Sequence, residues 1–138
     1  MKEKLLNKVK HYPLSSLLIA AIWVVCLVPV PETPLKDVSF FDKWVHIAMY
    51  FVLVTLIGWE YSRRHSPKRG TKNTASLSRW LLGGWLAPLL MGGLIELAQA
   101  FCTGGNRSGD WLDFAANATG ATLGALICML LAKCRAKA

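Results

Sequence analysis

Charge is scarce in this sequence, and it is withheld unevenly. Only 17% of the 138 residues are Asp, Glu, Lys or Arg. Leu14 to Val30 has no charged residue, Trp44 to Trp59 has only what His46 can carry, Leu81 to Phe101 only Glu96, and Trp111 to Ala132 only Asp113. A water-soluble globular enzyme is excluded by this pattern. The hydrophobic set makes up 54% of the chain and is gathered into long runs rather than spaced for a soluble core. Acidic residues are also few, 8 against 16 Lys and Arg, for a net charge of +8. In a soluble protein that excess would point to nucleic acid, but here its distribution gives a different reason, membrane orientation, and no nucleic acid partner is expected.

Other absences narrow the chemistry. The four cysteines, Cys26, Cys102, Cys128 and Cys134, form no CxxC pair and fit no zinc spacing. Cys26 and Cys102 fall towards the same side of the membrane, so a disulfide between them is geometrically conceivable. No serine, cysteine or threonine sits in a convincing nucleophilic triad, and no glycine-rich phosphate loop is present. His46 alone among acids is a poor zinc set, so no metal and no other cofactor is assigned. The first apolar run lacks a small-x-small cleavage site in Val28-Pro29-Val30-Pro31 and is read as a retained helix rather than a signal peptide.

What is present is the pattern of a multi-pass helical membrane protein. A span needs about 20 helical residues, and four stretches are read as spans, about 14–30, 43–60, 81–101 and 111–132. The expected fold is a single all-α domain over 1–138, a four-transmembrane-helix bundle with a basic loop at 62–79. Lys2, Lys4, Lys8 and Lys10 precede the first span; Arg63, Arg64, Lys68, Arg69, Lys72 and Arg79 join the second to the third; Lys133, Arg135 and Lys137 follow the fourth. Only Lys36, Lys43 and Arg107 lie in the other two connections. Short cytoplasmic loops retain positive charge, so both termini are expected in the cytoplasm. Ala116-x-x-x-Gly120-x-x-x-Gly124 is a small-residue series that permits close helix approach, and Pro88 is expected to kink the third span.

The remaining polar residues all fall near the outer side. Asp42, His46 and Tyr50 share one helical stripe with Lys43 beside them, Glu96 and Gln99 make a second, and Asp110, Asp113 and Asn117 a third. Capping accounts for several of the acids: Ser39-Phe40-Phe41-Asp42 fits a capping box, and Asp110 and Asp113 suit N-cap and N3. His46 and Asn117 suit interhelical hydrogen bonding, and Lys43 and Tyr50 suit the headgroup interface. Glu96 resists these readings. It lies about 8 Å inside its span, where an acid costs roughly 2.5–3.5 kcal/mol to insert, and Arg107 is its expected partner. Asp42, Glu96, Asp110 and Asp113 outnumber Lys43 and Arg107, so the cluster is net negative unless a proton, His46 or a cation contributes.

Taken together, Asp42-Lys43-x-x-His46-x-x-x-Tyr50-Phe51-x-Leu53, Glu96-x-x-Gln99 and Arg107-x-x-Asp110-x-x-Asp113-x-x-x-Asn117-x-x-Gly120-x-x-x-Gly124 resemble the VanZ-like family of small integral membrane proteins. The resemblance runs from about Asp42 to Gly124. It implies a bacterial cytoplasmic membrane and a link to glycopeptide, specifically teicoplanin, susceptibility, and it supplies no reaction. Three roles stay open. An enzyme would use Asp42, His46 or Glu96 as acid or base. A binder would hold an anionic envelope lipid or peptidoglycan precursor with Lys43, Tyr50, Gln99, Arg107, Asp110, Asp113 and Asn117. A scaffold would use the cluster only to lock helices together, with membrane lipids its remaining partners.

Overall fold

The computed structural model describes residues 2–28, 41–65, 77–104 and 109–137. Among these no strand occurs, and helices account for nearly all of the described residues. Helix α1 covers Lys2–His11 and α2 Pro13–Leu27. Helix α3 covers Phe41–Arg64. The short α4 (Leu77–Trp80), a π-helical stretch (Leu81–Leu86) and α5 (Ala87–Cys102) run on as one helix, and α6 covers Trp111–Lys137.

Three of these helical runs, Phe41–Arg64, Leu77–Cys102 and Trp111–Arg135, are long and apolar enough to cross a membrane. At 1.5 Å per residue the 24 residues of α3 reach about 36 Å, past the roughly 30 Å of a hydrocarbon core. Helix α2 has 15 residues and reaches only about 22 Å. The fourth span anticipated at 14–30 is therefore a shorter apolar helix over its described part, and Pro29 and Val30 lie outside the described residues. Large apolar side chains cover the outside of the bundle: Leu17, Trp44, Leu90, Leu94, Phe101 and Trp111 are all more than half exposed. In water this surface would drive association, whereas in lipid it is solvated.

The bundle is built on α3 against α6. A Cβ at Gly120 would collide with the backbone oxygen of Ile47, and one at Gly124 would lie 2.9 Å from that of Phe51. The two backbones thus touch where the small-residue series predicts. Ala121 and Ala125 complete the seam against Tyr50, Leu53 and Val54, and Ile22, Cys26 and Ile95 close it from α2 and α5. The paired glycines of the third span behave unequally. Gly92 lies against Tyr50 and Asn117, whereas a Cβ at Gly83 would meet nothing within 4 Å.

Where a kink is expected at Pro88, the helix shows a π-helical stretch just before the proline. Proline lacks an N–H and its ring crowds the carbonyl four residues earlier, here that of Gly84, and widening the helix over Leu81–Leu86 absorbs the mismatch. The indole of Trp80 folds over Gly84, where any Cβ would strike the ring, and its far edge would lie 3.0 Å from a Cβ at Gly58 of α3.

At the end of the bundle that carries both chain termini, α3 supplies caps to two other helices. Pro13 opens α2 without any side-chain cap from Tyr12. Glu60 takes that role from 45 residues away: Leu14 N (3.1 Å) and Ser15 N (3.2 Å) donate to its carboxylate, as does the Ser15 hydroxyl. One turn further on, Arg64 Nε donates to His11 O at 2.6 Å, and Nη2 to Lys10 O at 3.4 Å, at the last carbonyls of α1. The acid meets the positive end of one helix dipole and the base meets the negative end of the other.

Candidate functional site

The opposite end of the bundle, where α3 and α6 begin and α2 and α5 end, gathers most of the polar residues that the stripes anticipate. Asp42, Lys43, His46 and Tyr50 descend the first turns of α3. Asp113 and Asn117 face them from α6, with Asp110 just ahead of that helix. Asp110 is the N-cap of α6: Leu112 N donates to its Oδ1 at 2.9 Å, and Asp113 N to its backbone oxygen at 2.9 Å. Asp113 occupies N3, but its carboxylate turns away from the cap and into the bundle.

Lys43 is the hub of the cluster. Its Nζ donates to Asp110 Oδ2 at 2.8 Å and to Asp113 Oδ1, and lies 3.9 Å from Asp42 Oδ2. The hydrogen bond from Lys43, followed by that from Leu112 N, holds the Asp110 carboxyl below its ordinary range. This ammonium is thus consumed within the protein rather than snorkelling to the headgroups. His46 is 3% exposed, and its Nδ1 lies 2.9 Å from Asn117 Oδ1. Its Nε2 faces the gap between Asp42 Oδ1, at 3.9 Å, and Asp113 Oδ2, at 4.0 Å. Each aspartate therefore presents one oxygen to Lys43 and the other to His46.

Glu96 and Gln99 share a helix face but diverge in use. Asp110 N donates to Glu96 Oε2 at 3.2 Å, so the deep acid grips the chain entering α6, while Oε1 is buried with no hydrogen-bond partner among the described residues. A Cβ at Gly109 would run into the backbone oxygen of Glu96, which is how close this chain approaches α5. The Arg107 partner proposed for Glu96 lies outside the described residues, as do Ser39 and Phe40 of the suggested capping box. Gln99 turns towards α2, where its Nε2 donates to Cys26 O at 2.8 Å among the last carbonyls of that helix. Among the described residues Tyr50 Oη, Asn117 Nδ2 and Gln99 Oε1 are also buried without partners. Cys26 is a buried thiol and Cys102 an exposed one, and neither is in a disulfide.

Beside Glu96 a groove of about 740 Å³ opens between α5 and α6. Leu90, Leu94, Leu97, Trp111 and Phe114 form its apolar wall, and Glu96 and Asp110 give it a polar end. Gly93 widens it, since a Cβ there would meet only Phe114, at 3.5 Å. Sequence reasoning located the polar end but not the groove, which exists only once Gly93 and Phe114 are brought face to face. It also missed the capping role of Glu60. The signal available was a helix starting at Pro13 with no capping side chain, together with an acid at the same depth in another span.

Comparison with models of protein families, with curated proteins and with solved structures finds no match to this chain.

Proposed function

We propose that this is a VanZ-like integral membrane protein of the bacterial cytoplasmic membrane that receives an amphiphilic envelope lipid or lipid-linked peptidoglycan precursor at its polar end. The chain of the ligand lies in the apolar groove between α5 and α6, and a hydroxyl or amide N–H of its headgroup donates at the Glu96 and Asp110 end. The observation that carries this reading is the juxtaposition of an open apolar groove with a buried carboxylate oxygen, Glu96 Oε1, that no group among the described residues satisfies. Ligand pockets characteristically pair an apolar lining with a few polar groups that fix orientation. The arrangement also fits four spans, with α2 as the shortest, and both termini in the cytoplasm, because the Lys and Arg residues concentrate at the terminal end. Labelling of a cysteine introduced at Ser66 from outside intact cells would overturn that orientation.

Two variants separate the ligand from the scaffold. Gly93→Leu fills the groove without touching the polar cluster, and Glu96→Gln keeps an acceptor for Asp110 N while removing the charge. Both are expected at wild-type membrane levels with loss of a lipid that co-purifies with the original protein, read by mass spectrometry. Expression of the original, and of neither variant, is expected to change teicoplanin susceptibility. Retention of the lipid by Gly93→Leu would defeat the groove reading and leave the cluster a scaffold that holds helices together. An unchanged susceptibility with lipid still bound would defeat only the glycopeptide link.

A further inference from the structure

We infer that Asp42, His46 and Asp113 form a binding site for a divalent first-row metal cation. The inference stands on the cluster itself and goes beyond the lipid reading. One oxygen of Asp42, one of Asp113 and a ring nitrogen of His46 lie within 4.8 Å of one another. Spacing puts Asp42 and His46 on one face of α3 but gives no reason to assign a metal, since one histidine among acids is a poor zinc set. Orientation supplies the reason.

The partner of His46 Nδ1 is a carbonyl oxygen, Asn117 Oδ1, which can only accept. The Nδ1 position therefore carries the proton, and in the neutral ring the lone pair is left on Nε2. That lone pair points at two carboxylate oxygens, at 3.9 and 4.0 Å. Three electron-rich atoms facing one gap repel one another unless something positive stands between them. Lys43 does not fill this role, because its ammonium sits on the far oxygens, Asp42 Oδ2 and Asp113 Oδ1. It instead fixes the carboxylates so that their other oxygens face His46. This is the arrangement of metal ligands oriented by surrounding groups: an imidazole whose second nitrogen is tied to an amide oxygen, a carboxylate (Asp113) held by a hydrogen bond from Lys43, and a second (Asp42) paired more loosely with the same ammonium.

Charge supports the same conclusion. Asp42, Glu96, Asp110 and Asp113 place four carboxyls around one described cation, Lys43, so a divalent ion brings the group closer to neutrality. One nitrogen and two carboxylate oxygens suit Mn²⁺, Fe²⁺ or Zn²⁺ better than Mg²⁺ or Ca²⁺, which prefer all-oxygen sets. With bonds of about 2.0–2.2 Å, the ligands must close by about 1 Å. Asp42 can do so because its side chain is 57% exposed on the first turn of α3.

The test uses full-length protein in detergent, stripped with chelator and titrated with Zn²⁺ and with Mn²⁺ by equilibrium dialysis with elemental analysis. One saturable equivalent in the micromolar range is expected, accompanied by a rise in Tm, since a ligand that binds only the folded state stabilises it. Asp42→Asn and His46→Gln are each expected to weaken binding at least about tenfold. Asp42→Asn is the decisive variant because its exposed side chain contributes little to packing. Absence of saturable binding to the original protein would overturn the inference and leave the three side chains a structural cluster between α3 and α6. Undiminished binding to folded Asp42→Asn would overturn it as well. No lipid is involved in the measurement, so either result leaves the groove proposal untouched.

Discussion

The two ends of this bundle hold similar polar side chains and use them in opposite ways. At the terminal end, Glu60 and Arg64 project from α3 onto the exposed ends of α2 and α1, and each of these contacts joins a charge to backbone groups that the helix ends leave open. At the other end, Lys43 is shared among three carboxylates, while Glu96 Oε1, Tyr50 Oη and Asn117 Nδ2 are buried with no partner among the described residues. Capping is self-sufficient. The second arrangement has a surplus of negative and hydrogen-bonding capacity that helix geometry does not call for, and surplus of that kind is costly unless a ligand uses it.

Substitutions can break this contrast or sharpen it. The largest effect is expected from Lys43→Met, which leaves the buried Asp113 carboxylate without its ammonium and should cost about 3–5 kcal/mol, read by thermal unfolding in detergent. Adding Asp113→Leu should restore most of that loss, because the penalty lies in the unpaired charge rather than in missing contacts. Glu60→Ala should cost about 1–2 kcal/mol, as loss of a good N-cap does, and leave lipid co-purification unchanged. Gln99→Leu sharpens the division, since Gln99 lies at the ligand end yet caps α2. A loss of about 1 kcal/mol with the lipid retained is expected, and loss of the lipid would move Gln99 into the site. Arg64→Ala should be the mildest, about 0.3–1 kcal/mol, because its contacts with α1 are exposed.

Much of the architecture was legible in the residues because it depends on short-range pattern. The small-residue series of α6 announces its contact with α3, Asp110 announces an N-cap, and the stripes on α3 and α6 put Asp42, His46, Asp113 and Asn117 on faces that meet. What the pattern cannot give is the partner of a side chain reaching across helices. Lys43 reads as an interface residue until α6 brings Asp110 and Asp113 within its reach. Gln99 reads as a companion of Glu96 until α2 offers a carbonyl. Helix α1 was hidden by its lysines, and the length of α2 by the uninterrupted apolar run, which marks hydrophobicity and not where a helix ends. The groove was hidden because its walls come from residues on two helices whose rotation depends on packing.

The π-helical stretch before Pro88 gives the third long helix an adjustable register. One residue more than an α-helix needs is accommodated there, so the segment on either side can be phased independently. Because the widened turns absorb that residue, deleting Gly83, which has open space around it, should return the stretch to α-helical winding without turning Leu77–Trp80 relative to α5. Trp80 would keep its side of the helix, and Glu96 and the groove their places. The stretch works as a slip joint: it lets this helix anchor itself to α3 at one end while presenting an independently chosen face to the polar cluster at the other.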